Sequence, residues 1–470
     1  MIAIGPGNAP IVRVPAGSDL QEAIDRARPG ETLVLDAGAT YVGNFILPLK
    51  TGGTFITIRT ADREGLPAPG SRVLPEHSAS LAKLKSPNTQ PVIATQPGAH
   101  HWRLQLLELL PTHDGVGDIV ALGEAGAAQT HRTQVPYALE IDRCFIHGDP
   151  EKGQKRGIAL NSGDTVITGS YISDIKLAGQ DSQAIAGWNG PGPYRIENNY
   201  LEGAGENFLL GGSDPAIQGL VTSEVVFRAN HLTKPPEWQH QRWQVKNLFE
   251  LKNARRVLVE HNVMEYSWKQ AQAGYAVLFT PRNQDGSAPW ATVEDVTFRH
   301  NVVRHAGAGI QITGEEPDRV NGSARRITIQ DNLFYEIDSK RWGGPGIFLL
   351  IGQGPSEITV ERNTISQSGN IISAFGGTRS TPKPIARFVF RENLVRHNAY
   401  GVHGADRAVG NDTLKAFFPD AIFRDNVIAG GDSARYPDGN HFISNDEFAD
   451  RFRAAVRQRE SATIGKAIGR

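Results

Sequence analysis

The sequence predicts an all-β chain folded as one parallel β-helix with a capping helix at each end, and three observations predict it. A short phrase, apolar-x-apolar-polar-polar-Asn-apolar-apolar, returns along the chain as VVFRANHL, VLVEHNVM, VTFRHNVV, ITIQDNLF, ITVERNTI, FVFRENLV and AIFRDNVI. Its asparagines are Asn199, Asn230, Asn262, Asn301, Asn332, Asn363, Asn393 and Asn426, with Cys144 and Ser170 in the same slot of two earlier copies. Within the phrase the apolar residues alternate, as in Val257, Val259 then Val263, which is the period of a strand. A second strand follows, often opened by glycine, as in AGIQIT before Gly314, PGIFLLI before Gly352 and YAVLFT before Pro281.

One repeat thus holds three short strands and three turns, and a unit too small to bury its own apolar face must stack on its neighbours. Asn tolerates a left-handed backbone, so it reads as the bend between two strands, with its amide free to ladder from coil to coil. Leucine-rich, ankyrin and tetratricopeptide repeats need a helix per unit, which these units lack. A propeller blade needs antiparallel hairpins with tight turns, which the Asn bends do not resemble.

A solenoid grows along one axis, so all 470 residues are expected to form a single domain. Near its start, Ser18 and Asp19 followed by Gln21 and Glu22 predict a capped helix over residues 18–28. Leu20, Ala23, Ile24 and Ala27 share one face of it, and Pro29-Gly30 stops it. Rungs are expected over residues 30–440. A last helix over residues 445–459, with Phe448, Phe452, Ala455 and Val456 in a stripe, is expected to cover the far end.

Formal net charge is −1, which argues against a broad nucleic-acid surface, and no apolar run is long enough to span a membrane. The sole cysteine, Cys144, sits in the ladder slot and reads as a buried core residue. No signal peptide is visible at Met1, although a secreted or periplasmic monomer is expected.

Turns that lengthen within a regular solenoid mark its working face. Insertions fall at residues 111–136, 213–222, 234–244, 281–292 and 315–323. Trp238, Trp243, Trp268 and Trp290 lie among them. Trp238 and Trp290, set among Pro and polar residues, are expected to be exposed to stack on sugar rings. Trp243 and Trp268 could equally pack their own loops.

In NLFELK, alternation puts Phe249 and Leu251 inward and leaves Glu250 and Lys252 pointing outward together. The next rung brings Thr280 and Arg282 to the same side, and the preceding GENFLLGG supplies Glu206 and Asn207. These form one expected cluster, although a surface salt bridge between Glu250 and Lys252, or a loop anchor at Arg282, would use the same residues.

At these residues the chain resembles the right-handed β-helix polysaccharide lyases related to chondroitinase B and alginate lyase. The segments that carry the resemblance are residues 18–48, GENFLLGGS at 205–213 and FELKNARRVLVEHNV at 249–263. The run WQVKNLFELKNARRVLVEHNV at 243–263 also resembles uncharacterised bacterial β-helix proteins. The resemblance implies cleavage of a uronic-acid polysaccharide, with Lys252 at the place of the catalytic lysine and Arg282 the nearest match to the catalytic arginine. It also implies calcium, held by two acidic residues just before the lysine. Val245 and Asn247 stand at those places, so the expected acidic ligands are absent and calcium is left as an open alternative to no cofactor. Neutralisation of the sugar carboxylate then passes to Arg282, Asn247, Asn207 or another cation.

Such a lyase needs a base, a neutraliser and an acid. A nearby Arg charge and desolvation bring a lysine amine toward useful basicity, which suits Lys252 beside Arg282. His240 or Tyr275 could protonate the leaving oxygen. A glycoside hydrolase would instead draw a carboxyl pair from Glu250, Glu206, Asp214, Asp285 and Glu315. A carbohydrate-binding or structural β-helix without catalysis is the third reading.

Overall fold

The computed structural model describes residues 10–467, so Met1 and any leader reading of it lie outside the described residues. Each turn of chain contributes one strand to each of three long sheets. The first sheet has 14 strands, from Ile11–Val14 to Ile422–Arg424; the second has 14, from Thr40–Val42 to His441–Ile443; the third has 12, from Phe45–Leu47 to Val402–Gly404. Neighbouring strands run parallel, as with Ala254–Glu260 on Val293–Arg299, Val263–Ser267 on Val302–Ala306 and Tyr275–Phe279 on Ala308–Thr313. The fold is the right-handed parallel β-helix. No described helix is long and apolar enough to cross a membrane.

Alternation fills the interior with one apolar residue above another. Val225, Val257, Val296 and Ile327 form one such column, and Phe208 stacks on Phe249 at 5.3 Å between ring centres. Each buried large side chain of this kind contributes roughly 1.5–3 kcal/mol, and the core is continuous from Val14 to Tyr436.

The asparagines turn inward at the corner between first and second sheets. Each backbone N–H and each side-chain amide N–H donates to the Oδ1 of the next asparagine, as from Asn262 to Asn301 at 2.9 Å for both. The other amide hydrogen reaches a carbonyl one turn back, as from Asn301 Nδ2 to Val259 O at 3.0 Å. The chain of amides runs from Ser170, which donates to Asn199, through Asn426 to Asn440, a last member that the repeat spacing did not reveal. From Asn230 to Asn426 each Oδ1 accepts from the asparagine before it, which is why one residue type recurs.

Asparagine is not the bend itself. The residue before it takes the left-handed conformation: Asn198, Ala229, His261, His300, Asp331, Arg362, Glu392 and Asp425 have φ of 53–58°. Those side chains point away from the core, where any residue that tolerates the backbone is admitted. Asn is selected at the next position for its amide rather than its φ.

The two ends differ from expectation. Helix Leu20–Arg26, capped by Asp19, buries Leu20 and Ile24 on the first rung as predicted. Helix Asn445–Ala467 does not close the far end. It lies along the outside of the second sheet, where Phe452 and Val456 pack on Val263, Val302, Leu333 and Tyr335, and Arg459 bonds to Asn332 O and Arg362 O. The cover at the far end comes from an unpredicted helix, Asn411–Phe417, whose Leu414 and Phe417, followed by Phe418, enter the core. Seven residues with only three apolar anchors give too short a pattern to read from sequence.

Candidate functional site

Three of the insertions follow third-sheet strands and stack into one wall. Asp214 Oδ2 accepts from Asp285 N, Ser287 N and Ser287 Oγ at 2.8–3.0 Å, tying the 213–222 loop to the 281–292 loop. Asn283 N donates to Glu316 Oε2, and Asn321 Nδ2 to Pro281 O, tying the latter to the 315–323 loop. Trp290 is half-buried in this wall and donates through Nε1 to Leu220 O.

Below the wall, the outer face of the third sheet forms a floor. Leu209, Glu250, Leu278, Gln311 and Leu350 sit side by side along it in consecutive strands. A pocket of about 400 Å3 opens here, lined by Glu250, Lys252, Tyr275, Thr280, Arg282 and Glu316, with Leu278 and Phe375 as apolar surface. The sequence thus brought the intended base, its neighbouring arginine and one of its two acid candidates to a single cavity. Register is the reason: Arg282 N donates to Lys252 O at 3.0 Å, because Leu251 and Phe279 are ladder partners.

Glu250 is not a solvated surface charge. It is 1 % exposed, lies 3.2 Å from Lys252 Nζ through Oε1, and accepts from Asn247 Nδ2 at 2.9 Å and Thr280 Oγ1 at 3.4 Å. Arg282, half exposed, is held through Nε by Glu316 Oε1 at 3.2 Å, which leaves its terminal N–H groups to the pocket. Tyr275 is nearly buried and its hydroxyl makes no hydrogen bond among the described residues. Burial pushes its pKa up, so it stays protonated. Gly211 is required by this packing: a Cβ there would come within 2.7 Å of Lys252 Cβ, and its φ is 100°.

A second carboxyl, Glu206, reaches the floor one strand earlier. Burial, then the charge of Glu250, raises its pKa, while Lys246 opposes the shift. The Lys246 ammonium stands between Glu206 Oε1, at 3.6 Å, and Asp181 Oδ2, with which it pairs. Burial opposes the charge on Lys246, but the surrounding carboxylates prevail and its pKa is raised. Lys246 escaped the sequence reading because it sits outside the strand, where alternation predicts nothing.

At the two places where the resemblance implied calcium ligands, Val245 is buried among tryptophans, and Asn247 is buried with its amide nitrogen spent on Glu250 Oε2 and Gln272 Oε1. A fixed ammonium already lies between the nearby carboxylates. Neither residue supplies a carboxylate; of the two side chains only Asn247 offers an oxygen, its buried Oδ1, which accepts no hydrogen bond among the described residues.

Several expected substrate contacts fail. Asn207 faces the interior, fully buried, donating to Leu201 O and Thr233 O at 2.7 Å and accepting from Lys234 Nζ at 2.8 Å. Alternation slips here: Phe208 and Leu210 point inward, yet Asn207 does too, and Glu206 points out in line with Gln183 and Arg156. Other third-sheet strands do the same, with Ala184 and Ile185 both in the core after Gln183, and Ala276 and Val277 both in the core after Tyr275. Lys234 inserts beneath Asn207, where Gly203 O, Gly205 O and Asn247 O also receive its ammonium. Such burial pushes the Lys234 pKa down to about 7.

Trp238, expected to be exposed, is buried, as are Trp243 and Trp268, in a cluster with Trp342. Lys176 places its ammonium 4.8 Å from the Trp238 ring and 5.2 Å from Trp243, so a cation–π pair holds the 234–244 loop. Proline-rich polar surroundings hid a partner sixty residues away. His240 is exposed on this loop and lines neither this pocket nor its neighbour.

No protein-family profile and no curated protein matches the sequence. Solved structures do match by fold. A mannuronic acid specific polysaccharide family 6 lyase from human gut microbiota is 14% identical, with a TM-score of 0.56 over 97% of this chain and 95% of that one. The PL6 family alginate lyase AlyGC is 13% identical, with a TM-score of 0.54 over 92% of this chain, which spans 53% of that longer one.

Proposed function

We propose that the protein is a polysaccharide lyase that cleaves a uronic-acid polymer by β-elimination in the third-sheet groove. One observation carries this: Lys252, Tyr275 and Arg282 line one cavity with Glu250 against the lysine. The solved structures with the same fold are named as alginate and mannuronate lyases, which supports the same substrate class here.

The sugar carboxylate would lie against the free N–H groups of Arg282, whose fork neutralises the charge that develops at carbon 5. Glu250 Oε1, 3.2 Å from Lys252 Nζ, holds that side chain toward the sugar, and the base is the neutral amine of Lys252. That amine takes the proton from carbon 5. The electrons of the C–H bond form the carbon 4–carbon 5 double bond, and the carbon 4–oxygen bond breaks. Tyr275 donates its hydroxyl proton to the leaving oxygen.

Incubation with alginate, chondroitin and pectate, followed by ultraviolet absorbance of the new double bond, tests the reading. Lys252→Ala should abolish the signal without unfolding the protein, and persistent absorbance in that variant would remove Lys252 from its role. A second reading rests on Glu206, whose raised pKa beside Glu250 suits the acid of a glycoside hydrolase. New reducing ends without absorbance would favour it.

A further inference from the structure

We infer that the groove continues past Lys252 into a second binding site, built by Lys155, Arg156 and Trp188, that takes a carboxylate-bearing sugar of the same chain. The inference rests on the groove being the polysaccharide site, and it specifies that the polymer must carry acidic sugars repeatedly rather than at the cleaved unit alone.

A cavity of about 490 Å3 lies beside the first and shares Lys252 with it. Lys155, Arg156, Gln183, Trp188, Glu206 and Gly212 are among its lining residues. Arg156 is held in one orientation by three of its N–H groups. Nη1 donates to Asp118 Oδ1 at 2.8 Å, and Nε and Nη2 donate to Gln183 Oε1 at 3.1 and 2.9 Å. Its guanidinium also lies 5.2 Å from the Trp188 ring centre. An arginine with five N–H groups so fixed keeps two for a ligand and loses little freedom on binding. Trp188 is half-buried, its edge pinned by a bond from Nε1 to Ala125 O at 3.1 Å, and this supplies an aromatic surface of the kind that sugar faces pack on.

Charge decides the ligand. Asp118 neutralises Arg156, Lys246 neutralises Asp181, and Glu250 is matched to Lys252. Lys155 is left over: it is half-buried, and its ammonium has no hydrogen bond or ion pair among the described residues. Burial favours the neutral form of Glu206, so that carboxyl opposes an incoming anion weakly. The cavity therefore holds a surplus cation beside a preset guanidinium, which suits a carboxylate.

Distance decides the length. The strands Arg156–Leu160, Gln183–Gly187, Glu206–Leu210 and Phe249–Leu251 are consecutive in the third sheet, so Arg156 and Lys252 are three strand spacings apart along the solenoid, about 14 Å. They are further apart across it, since Arg156 is in register with Glu206 whereas Lys252 follows Leu251, the partner of Leu210. One sugar cannot reach both. An oligosaccharide can, with one acidic unit at each cation centre.

The test compares wild type with Lys155→Ala and Arg156→Lys in calorimetric titrations with a diuronate, a hexauronate and a sulfated oligosaccharide lacking uronic acid. Neither substitution removes an apolar core residue, and melting temperatures of both variants check that the fold is kept. Each variant should bind the hexauronate about tenfold more weakly and the diuronate as wild type does. On the enzyme, the same variants should raise KM for the hexamer with kcat unchanged. Equal losses for both lengths, or none, would overturn the site, and tight binding of the sulfated sugar would overturn its assignment to carboxylates. Titration reports on the site even if no polymer is cleaved, so its failure is separate from failure of the lyase reading.

Discussion

The asparagine corner and the third-sheet groove are built by the same rungs and obey opposite rules. At the corner one residue type recurs, each amide satisfied by the next, and nothing remains for a ligand. Across the pocket the outward residue changes from strand to strand, as Leu209, Glu250, Leu278 and Gln311 show. Charged groups there are held by unlike partners, as Glu250 is by Lys252, Asn247 and Thr280, and N–H groups or a hydroxyl are left unused. Repetition marks where the solenoid holds itself together. Its loss marks where the surface is free to do chemistry.

Two substitutions should separate these regions most sharply. Lys252→Met should lower kcat by about 10²–10⁴-fold, the usual worth of a positioned acid–base group, while the unfolding midpoint stays near wild type. Asn301→Ala should do the reverse. It strands the Asn262 N–H and amide donors and Val259 O in the interior, so chemical denaturation should show a loss of about 3 kcal/mol or more, with activity per folded molecule kept.

Buried charge gives a pH test of the scaffold. Burial raises Glu202 from 4.5 to about 7, so between those values the folded chain holds a proton that the unfolded chain has lost. Stability should therefore decline as pH rises from 4.5 to about 7, and Glu202→Gln should flatten that decline in a series of denaturant melts. A smaller effect is expected from Arg282→Lys, which removes the fork and should raise KM about tenfold. Smallest of all, Glu224→Gln opens an exposed pair with Arg256 on the outer first sheet and should cost under about 1 kcal/mol in the same melts.

Legibility followed the same division. Alternation in NLFELK and YAVLFT was enough to turn Glu250 and Lys252 outward and to set Lys252 beside Arg282, because parallel register is fixed once the repeat is known. Asn207 was misread because two adjacent residues face the core at the start of these third-sheet strands, as with Ala184 and Ile185, which strict alternation does not allow. Trp238 was misread because its partner, Lys176, is brought close only by stacking. Lys246, Arg156 and Trp188 were missed altogether: each lies at a strand end or in a loop, where the side-chain direction follows from packing rather than period.

What the sequence determined by itself was the period, and with it the coil, its inward faces and the neighbour relations between rungs, since these depend on short-range alternation and on one repeating side chain. Tertiary structure alone decided which cations keep a free face. That depends on which distant carboxylate or ring arrives beside each one, and a linear pattern holds no record of those meetings.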